Sequence, residues 1–242
     1  MAGISYSVIE SRRFGRSIHR GASDCIDLDM IGSYIRRHDP EILIIRFPVL
    51  EQVNLHKLNE LDRQVIFADT LVCYELLNSD SRVLELVNKD VGFIEASSKD
   101  YKLLDELVRT IFQDYSNHYF ANPLLDRDKI VEGYSEWATN YISAPQKLSL
   151  IVQQEGIPIG FITCSYNATG AEIILNGILP DYRKRGIYGD TVRFVVNRFF
   201  GRGIKSIKIS TQMQNFKVQN VWIRQGFFVK EAFVTIHLNK TH

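Results

Sequence analysis

Arg183, Lys184 and Arg185 stand directly before Gly186, and the segment that follows carries Val192, Val195, Val196 and Phe199 at helical spacing. Three cations at a glycine turn that feeds a helix form a cradle for anions. The first turn of a helix leaves backbone N–H groups unpaired and presents the positive end of the helix dipole, while glycine lets a ligand approach the main chain. A phosphate is the natural occupant of residues 183–189; a solvated basic turn is the plainer reading. His118 and Tyr119 lie in the aromatic segment SNHYF ahead of Asn122-Pro123, with Tyr134 and Trp137 three residues apart downstream. Imidazole can carry a proton near neutrality and flat rings can sandwich a planar ligand, whereas a satisfied structural histidine and core aromatics need no ligand. Glu172 and Asn176 share the parity of residue 174, which on a regular strand aims both at one cleft.

These residues need elements to hold them. SLIVQQE and IGFITCSY read as strands around a Gly156-Ile-Pro turn, and AEIILNGILP supplies a third after Asn167-Ala-Thr-Gly170. The basic loop then leads into a helix that stops at Phe200-Gly201-Arg-Gly203. IKSIKIST reads as a strand, FKVQNVWIRQG as a shorter helix closed by Gly226, and FFVKEAFVTIHL as a last strand. Upstream, Ser98 and Asp100 mark a helix start, and Leu103, Leu104, Leu107, Val108, Ile111 and Phe112 trace one helical face. LLDRDKIVEGYSEWATNYI is a second helix. EILIIRF reads as a buried strand, VNLHKLNEL as a helix and VIFADTLVCYELL as a long strand. The fold class is α/β. A break near Ala96-Ser97-Ser98 divides the chain into an N-terminal α/β unit, residues 1–96, and a C-terminal unit, residues 97–242.

Composition narrows the function further. The 242 residues hold 29 basic and 28 acidic side chains, so no global field favours nucleic acid or an anionic membrane, and an anion site must be local. No apolar run approaches bilayer length, and MAGISYSVIESRRFGRS reads as an unprocessed start. Cys25, Cys73 and Cys164 have no metal-ligand spacing, and the last two sit in apolar runs as reduced thiols of a cytoplasmic protein. Walker-type, G-x-G-x-x-G and G-x-S-x-G signatures are absent, and no metal is implied.

NGILPDYRKRGIYGD, the helix behind it and ISTQMQNFKVQNVWIRQGF together resemble the GCN5-related N-acetyltransferases (GNAT). The resemblance implies a GNAT fold with a mixed central β-sheet, plus a smaller N-terminal α/β accessory domain. It implies acetyl-CoA as cosubstrate, with the pyrophosphate wrapped by Arg183, Lys184, Arg185, Gly186, Ile187, Tyr188 and Gly189. The splayed strand, residues 176–179, would hold the pantetheine arm, with Asn176, Ile178 and Leu179 in contact and the Ile178 N–H as oxyanion donor. Asn215 and Trp222 are implied as further cofactor contacts. Tyr188 breaks the small-residue end of the loop pattern and is expected to point toward the phosphates. Relatives usually place a proton-donating tyrosine where this chain has Trp222, an indole that is no acid.

TQMQN, RQGF and FADTLVCYEL are most similar to the nucleotide-sugar N-acetyltransferases, the subgroup that includes dTDP-fucosamine acetyltransferase. That likeness implies direct acetyl transfer to the amine of a dTDP-linked amino-dideoxyhexose, for surface-polysaccharide precursors of the lipopolysaccharide O-antigen kind. Tyr119, Asn122, Tyr134, Trp137, Asn176 and Thr211 would meet this sugar, and Glu172 or His118 would serve as base. A different amine, such as a protein N-terminus or polyamine, and a non-catalytic acetyl-CoA sensor stay open, as does a homodimer.

Overall fold

Aliphatic alternation and glycine stops give the following elements in the computed structural model, which describes residues 3–78 and 83–241. They are β1 (Ser5–Tyr6), α1 (Val8–Phe14), β2 (Ile18–Ala22), α2 (Leu28–His38), β3 (Ile42–Pro48), a 3-10 stretch (Val49–Glu60), β4 (Arg63–Leu77) and β5 (Val91–Glu95). After these come α3 (Tyr101–Phe112), a 3-10 turn (His118–Ala121), α4 (Arg127–Thr139), β6 (Lys147–Gln154), β7 (Ile157–Tyr166) and β8 (Gly170–Ile178). The chain finishes with α5 (Ile187–Phe200), β9 (Ser206–Gln212), α6 (Phe216–Arg224) and β10 (Phe228–Lys240). A 3-10 turn, Ser98–Asp100, leads into α3 and is capped by Ser97 rather than Ser98: Ser97 and Asp100 close a capping box, the Ser97 N–H donating to Asp100 at 2.8 Å.

Among the described residues the ten strands join one mixed sheet in the order β1-β2-β3-β10-β4-β9-β8-β7-β6-β5, parallel at β2/β3 and β8/β9 and antiparallel elsewhere. The expected boundary at residue 96 is therefore not a break in the hydrogen bonding. β4 is seated between β9 and β10, and β5 continues the sheet beyond β6. The Ala96 N–H itself donates to Ser149 O. A cut at residue 96 would strip β9 and β10 of their common neighbour, which composition along the chain does not reveal.

Alternation on the strands assigns the helices to faces. Val72, Tyr74, Ile207 and Ile209 pack with Val192, Val195, Val196 and Phe199 of α5 and Trp222 of α6. On the opposite face Phe161 and Leu175 pack with Leu104, Leu107, Val108 and Phe112 of α3 and Ala138 of α4. β3 divides similarly: Leu43, Ile45 and Phe47 meet α2 and the first 3-10 stretch, whereas Ile42 and Ile44 meet Phe14 of α1 and Ile130 of α4.

The turn His118–Ala121 is fastened to β10 by a buried polar chain. Asn122 Oδ1 accepts from the Leu124 N–H at 3.1 Å, which orients the amide so that Nδ2 donates to His237 Nδ1 at 3.0 Å. His237 Nε2 then carries the ring proton and donates to His118 Nδ1 at 2.9 Å, leaving the His118 proton on Nε2. Burial first, then His237, Arg46 and Arg20, hold His118 well below its ordinary value, and burial with Arg20 and Arg46 pushes His237 down to about 3. Unfolded histidines take up protons near pH 6.5 and the folded pair does not, so its stability is complete above that pH and is lost as pH falls. Each histidine contributes roughly 1 kcal/mol of loss per pH unit. Urea-unfolding free energy is expected to fall more steeply between pH 6.5 and 5 in wild type than in His237→Gln. Equal slopes would show that the pair is not the titrating element.

Candidate active site

β8 and β9 are paired only from Gly170↔Ser206 to Ile173↔Ile209. Beyond that point β8 stays with β7 and β9 stays with β4, so the two strands part. A bulge between Ile173 and Leu175 accompanies the separation. Ile173 belongs to the core on the α5 side and Leu175 to the core under α3, so the side-chain parity flips. Glu172 and Asn176 consequently do not share a face, although both line the cleft that opens here. The Leu179 N–H is committed to Ile159 O at 2.8 Å and gives nothing to a ligand. By strand alternation the Ile178 N–H faces the opposite way, into the gap.

The basic loop caps this gap. Gly186, the N-cap of α5, has φ +83°, a left-handed conformation that glycine adopts without strain. Asp190 fixes the turn: it is fully buried and accepts from the Val87 and Asn88 N–H groups, both at 2.9 Å, and from Arg193 at 2.7 Å. Asn88 Nδ2 in turn donates to Arg185 O at 3.1 Å. Arg183, Lys184, Gly186, Tyr188 and Gly189 line the cleft, with Arg183 Nε turned back onto Ile178 O at 3.1 Å. Two expected contacts change. Arg185 is exposed over the Tyr182 ring, and the Ile187 side chain is sealed among Val91, Val152 and Ile159, leaving only its main chain near the loop.

Tyr188 also departs from expectation. It reaches inward, and its hydroxyl accepts the Trp222 indole N–H at 3.0 Å. Trp222, 1% exposed, is packed edge-on against Tyr74. Burial holds the Tyr188 phenol protonated well above its ordinary range, with the Trp222 N–H pulling the other way. The Tyr188 O–H donates to no protein group among the described residues. Tyr115, which motif reading missed, differs: its O–H is spent on Gln212 Oε1, beside Thr211, whose own hydroxyl accepts from Asn215 at 3.0 Å.

The cleft, about 1460 Å³, continues across β9 and β4 to the N-terminal strands. Tyr134 is stacked on Phe112 at 4.5 Å, Trp137 lies at the rim, and Tyr119 donates its hydroxyl proton to Glu10, which also pairs Arg20 at 2.9 Å. Glu172 is exposed at the cleft wall, and partial burial raises its carboxyl despite Lys208 on the neighbouring strand. Asn122 does not line the cleft; it is consumed by His237 and Asn239. His118 is unsuited to act as base because the ring nitrogen able to accept is already occupied by His237. Arg20 and Arg46 line the far end, an unexpected contribution from the N-terminal strands. A single arginine inside the aliphatic run EILIIRF was the signal available in the sequence.

Residues 104–227 match the model of the Acetyltransferase (GNAT) family, and the chain belongs to that family. It is an acetyltransferase for amine acceptors, with acetyl-CoA as acyl donor. The fold is similar to a functionally unknown conserved protein from Staphylococcus epidermidis, with TM-score 0.65 and 16% identity over 93% of this chain and 85% of that one. GCN5-related N-acetyltransferases from Kribbella flavida (TM-score 0.62, 12% identity, 93% and 82% of the two chains) and Sphaerobacter thermophilus (0.64, 12%, 100% and 77%) are similar too. No curated protein matches the sequence significantly.

The loop geometry leads to a direct test. A Cβ at Gly186 would have only Asn88 Nδ2 nearby, at 3.4 Å, so Gly186→Val fails through backbone strain rather than a clash. Leaving the left-handed conformation releases about 1–2 kcal/mol and moves the loop, so the KM for acetyl-CoA is expected to rise roughly tenfold. An unchanged KM in folded protein would remove residues 183–189 from the donor site.

Proposed function

We propose that the chain transfers acetyl from acetyl-CoA to the amine of a dTDP-linked amino-dideoxyhexose within a ternary complex, supplying a surface-polysaccharide precursor. The observation that carries this reading is the cleft itself. It joins the β8/β9 gap to a wide aromatic and cationic chamber, with more room than a pantetheine arm needs. The motif likeness to nucleotide-sugar acetyltransferases supplies the sugar and its nucleotide.

Acetyl-CoA brings an activated acetyl thioester. Residues 186–189 would hold its pyrophosphate at the start of α5, and Lys184 and Arg183 would balance the charge. The Asn176 main chain, which faces the gap, would bind the pantetheine amides, and the Ile178 N–H would meet the carbonyl oxygen, where negative charge develops, while the Ile178 carbonyl stays with Arg183. The sugar amine needs only to be neutral, and Glu172 at the cleft wall can take its proton directly or through water. For the departing thiolate we assign the proton to Tyr188. Burial holds this phenol protonated and ready to donate, the Trp222 N–H offsets part of that burial, and its own hydrogen is uncommitted among the described residues.

Turnover of dTDP-aminosugars with stoichiometric release of free thiol tests the reaction; thiol release with other amines only would exclude the sugar assignment. Tyr188→Phe is expected to lower kcat by about 10²–10⁴-fold with the KM for acetyl-CoA nearly unchanged. Trp222→Phe removes one hydrogen bond to the same phenol, about 0.5–1.5 kcal/mol, and should cost only a few-fold to tenfold. The reverse order of effects would move the acid away from Tyr188.

A further inference from the structure

The far end of the cleft is richer in cations than an uncharged sugar requires. Arg20 on β2 and Arg46 on β3 emerge from the same face, in parallel strands where Arg20 is level with Ile44 and Arg46 with Ala22. Arg20 is satisfied by Glu10 at 2.9 Å and by the Tyr119 hydroxyl at 3.3 Å. Arg46 is not. Its Nε donates to Thr235 Oγ1 at 3.3 Å, and no carboxylate lies within 4.0 Å of it among the described residues. Its half-buried guanidinium lines the cleft, and its Nη groups have no protein partner among the described residues.

Two like charges held together in a partly buried site repel, and burial together with Arg20 drives the Arg46 guanidinium below its ordinary value. The acids that face this pair are Glu10, spent on Arg20, and Asp69. Arg46, Thr235 and Asp69 are level with one another across β3, β10 and β4, which sets Asp69 about 10 Å from Arg46, two strand spacings away. Both Asp69 carboxylate oxygens are buried without a hydrogen-bond partner. The His118 proton, on Nε2, adds one more donor beside the two arginines. Donors thus collect at the end remote from the β8/β9 gap, with β3 two strand spacings, about 10 Å, from β4, the strand that borders β9.

Resting on the aminosugar reading above, we propose that Arg46, with Arg20 beside it, binds the phosphate or diphosphate group of the acceptor. The planar guanidinium offers a fork that matches two phosphate oxygens, so the anion both relieves the repulsion and fixes the sugar's direction. The amine is thereby turned toward Ile178 and the gap. The acceptor is a phosphorylated aminosugar, and its anion is a specificity element in its own right.

Calorimetric titration of the full chain with inorganic pyrophosphate, after saturation with coenzyme A to occupy residues 183–189, tests the subsite. Wild type is expected to bind pyrophosphate, and Arg46→Gln to bind it roughly 10- to 100-fold more weakly, with retained coenzyme A affinity as the folding control. Arg46→Lys keeps the charge without the fork and should fall between. No binding by wild type, or equal binding by Arg46→Gln, overturns the proposal. Turnover separates this outcome from the sugar reading. A preference for an amino-dideoxyhexose 1-phosphate over its methyl glycoside that collapses in Arg46→Gln supports both. Pyrophosphate binding that depends on Arg46, with neither sugar acetylated, rejects the aminosugar and leaves the anion subsite standing. A methyl glycoside used as well as its phosphate overturns the subsite.

Discussion

Backbone pairing between β8 and β9 ends after Ile173 and Ile209, and the rest of the site depends on that interruption. An inner strand with a bare edge is costly unless something covers it. Here the uncovered edge is short, is bent away by a bulge, and is topped by the N-terminus of α5. An extended ligand carrying amides can therefore complete the ladder as a further strand would. The loop at residues 183–189 follows directly from β8, so the phosphate end of such a ligand and its amide end are positioned by one continuous piece of chain.

On the reading proposed above, the two substrates would be recognised by different means. The donor would be met largely by main chain, with Gly186 and the β8 edge supplying N–H groups whatever the side chains. The acceptor would be met by side chains from the other half of the sheet, Arg20, Arg46, Tyr119 and Tyr134, gathered on the face shared by α1, α3 and α4. β4 connects these regions because it borders β9 on one side and β10 on the other. The β8/β9 gap and the arginine-lined end of the cleft therefore belong to one continuous hydrogen-bonded sheet.

Much of this was legible in the sequence. Turn glycines and alternation gave the strand and helix order from residue 148 onward, because local chemistry alone dictates those elements. The bulge at residue 174 was not legible, since a register slip against Thr163 and Cys164 leaves no mark in the alternation of β8, and it separates Glu172 from Asn176. The indole of Trp222 looked like a missing acid; only packing reveals that it donates to Tyr188 from another helix. His118 had the composition of a base, and its partner His237 is 119 positions away, beyond any local pattern. The apparent boundary at residue 96 is the short link from β5 to α3, and β5 is itself paired with β6 in the same sheet.

That sheet topology also bears on how the chain comes into being. β10 lies between β3 and β4, yet roughly 150 residues separate it from β4 in the chain. At translation speeds of about 5–20 residues per second, the facing edges of β3 and β4 emerge from the ribosome many seconds before the strand that fills the space between them. During that interval Ile42, Leu43, Ile44 and Ile45 belong to an unfinished, adhesive surface. Until β10 is added, nothing joins β3 to β4, and a chain that stops before Phe228 holds its two halves of the sheet without the strand that makes them continuous.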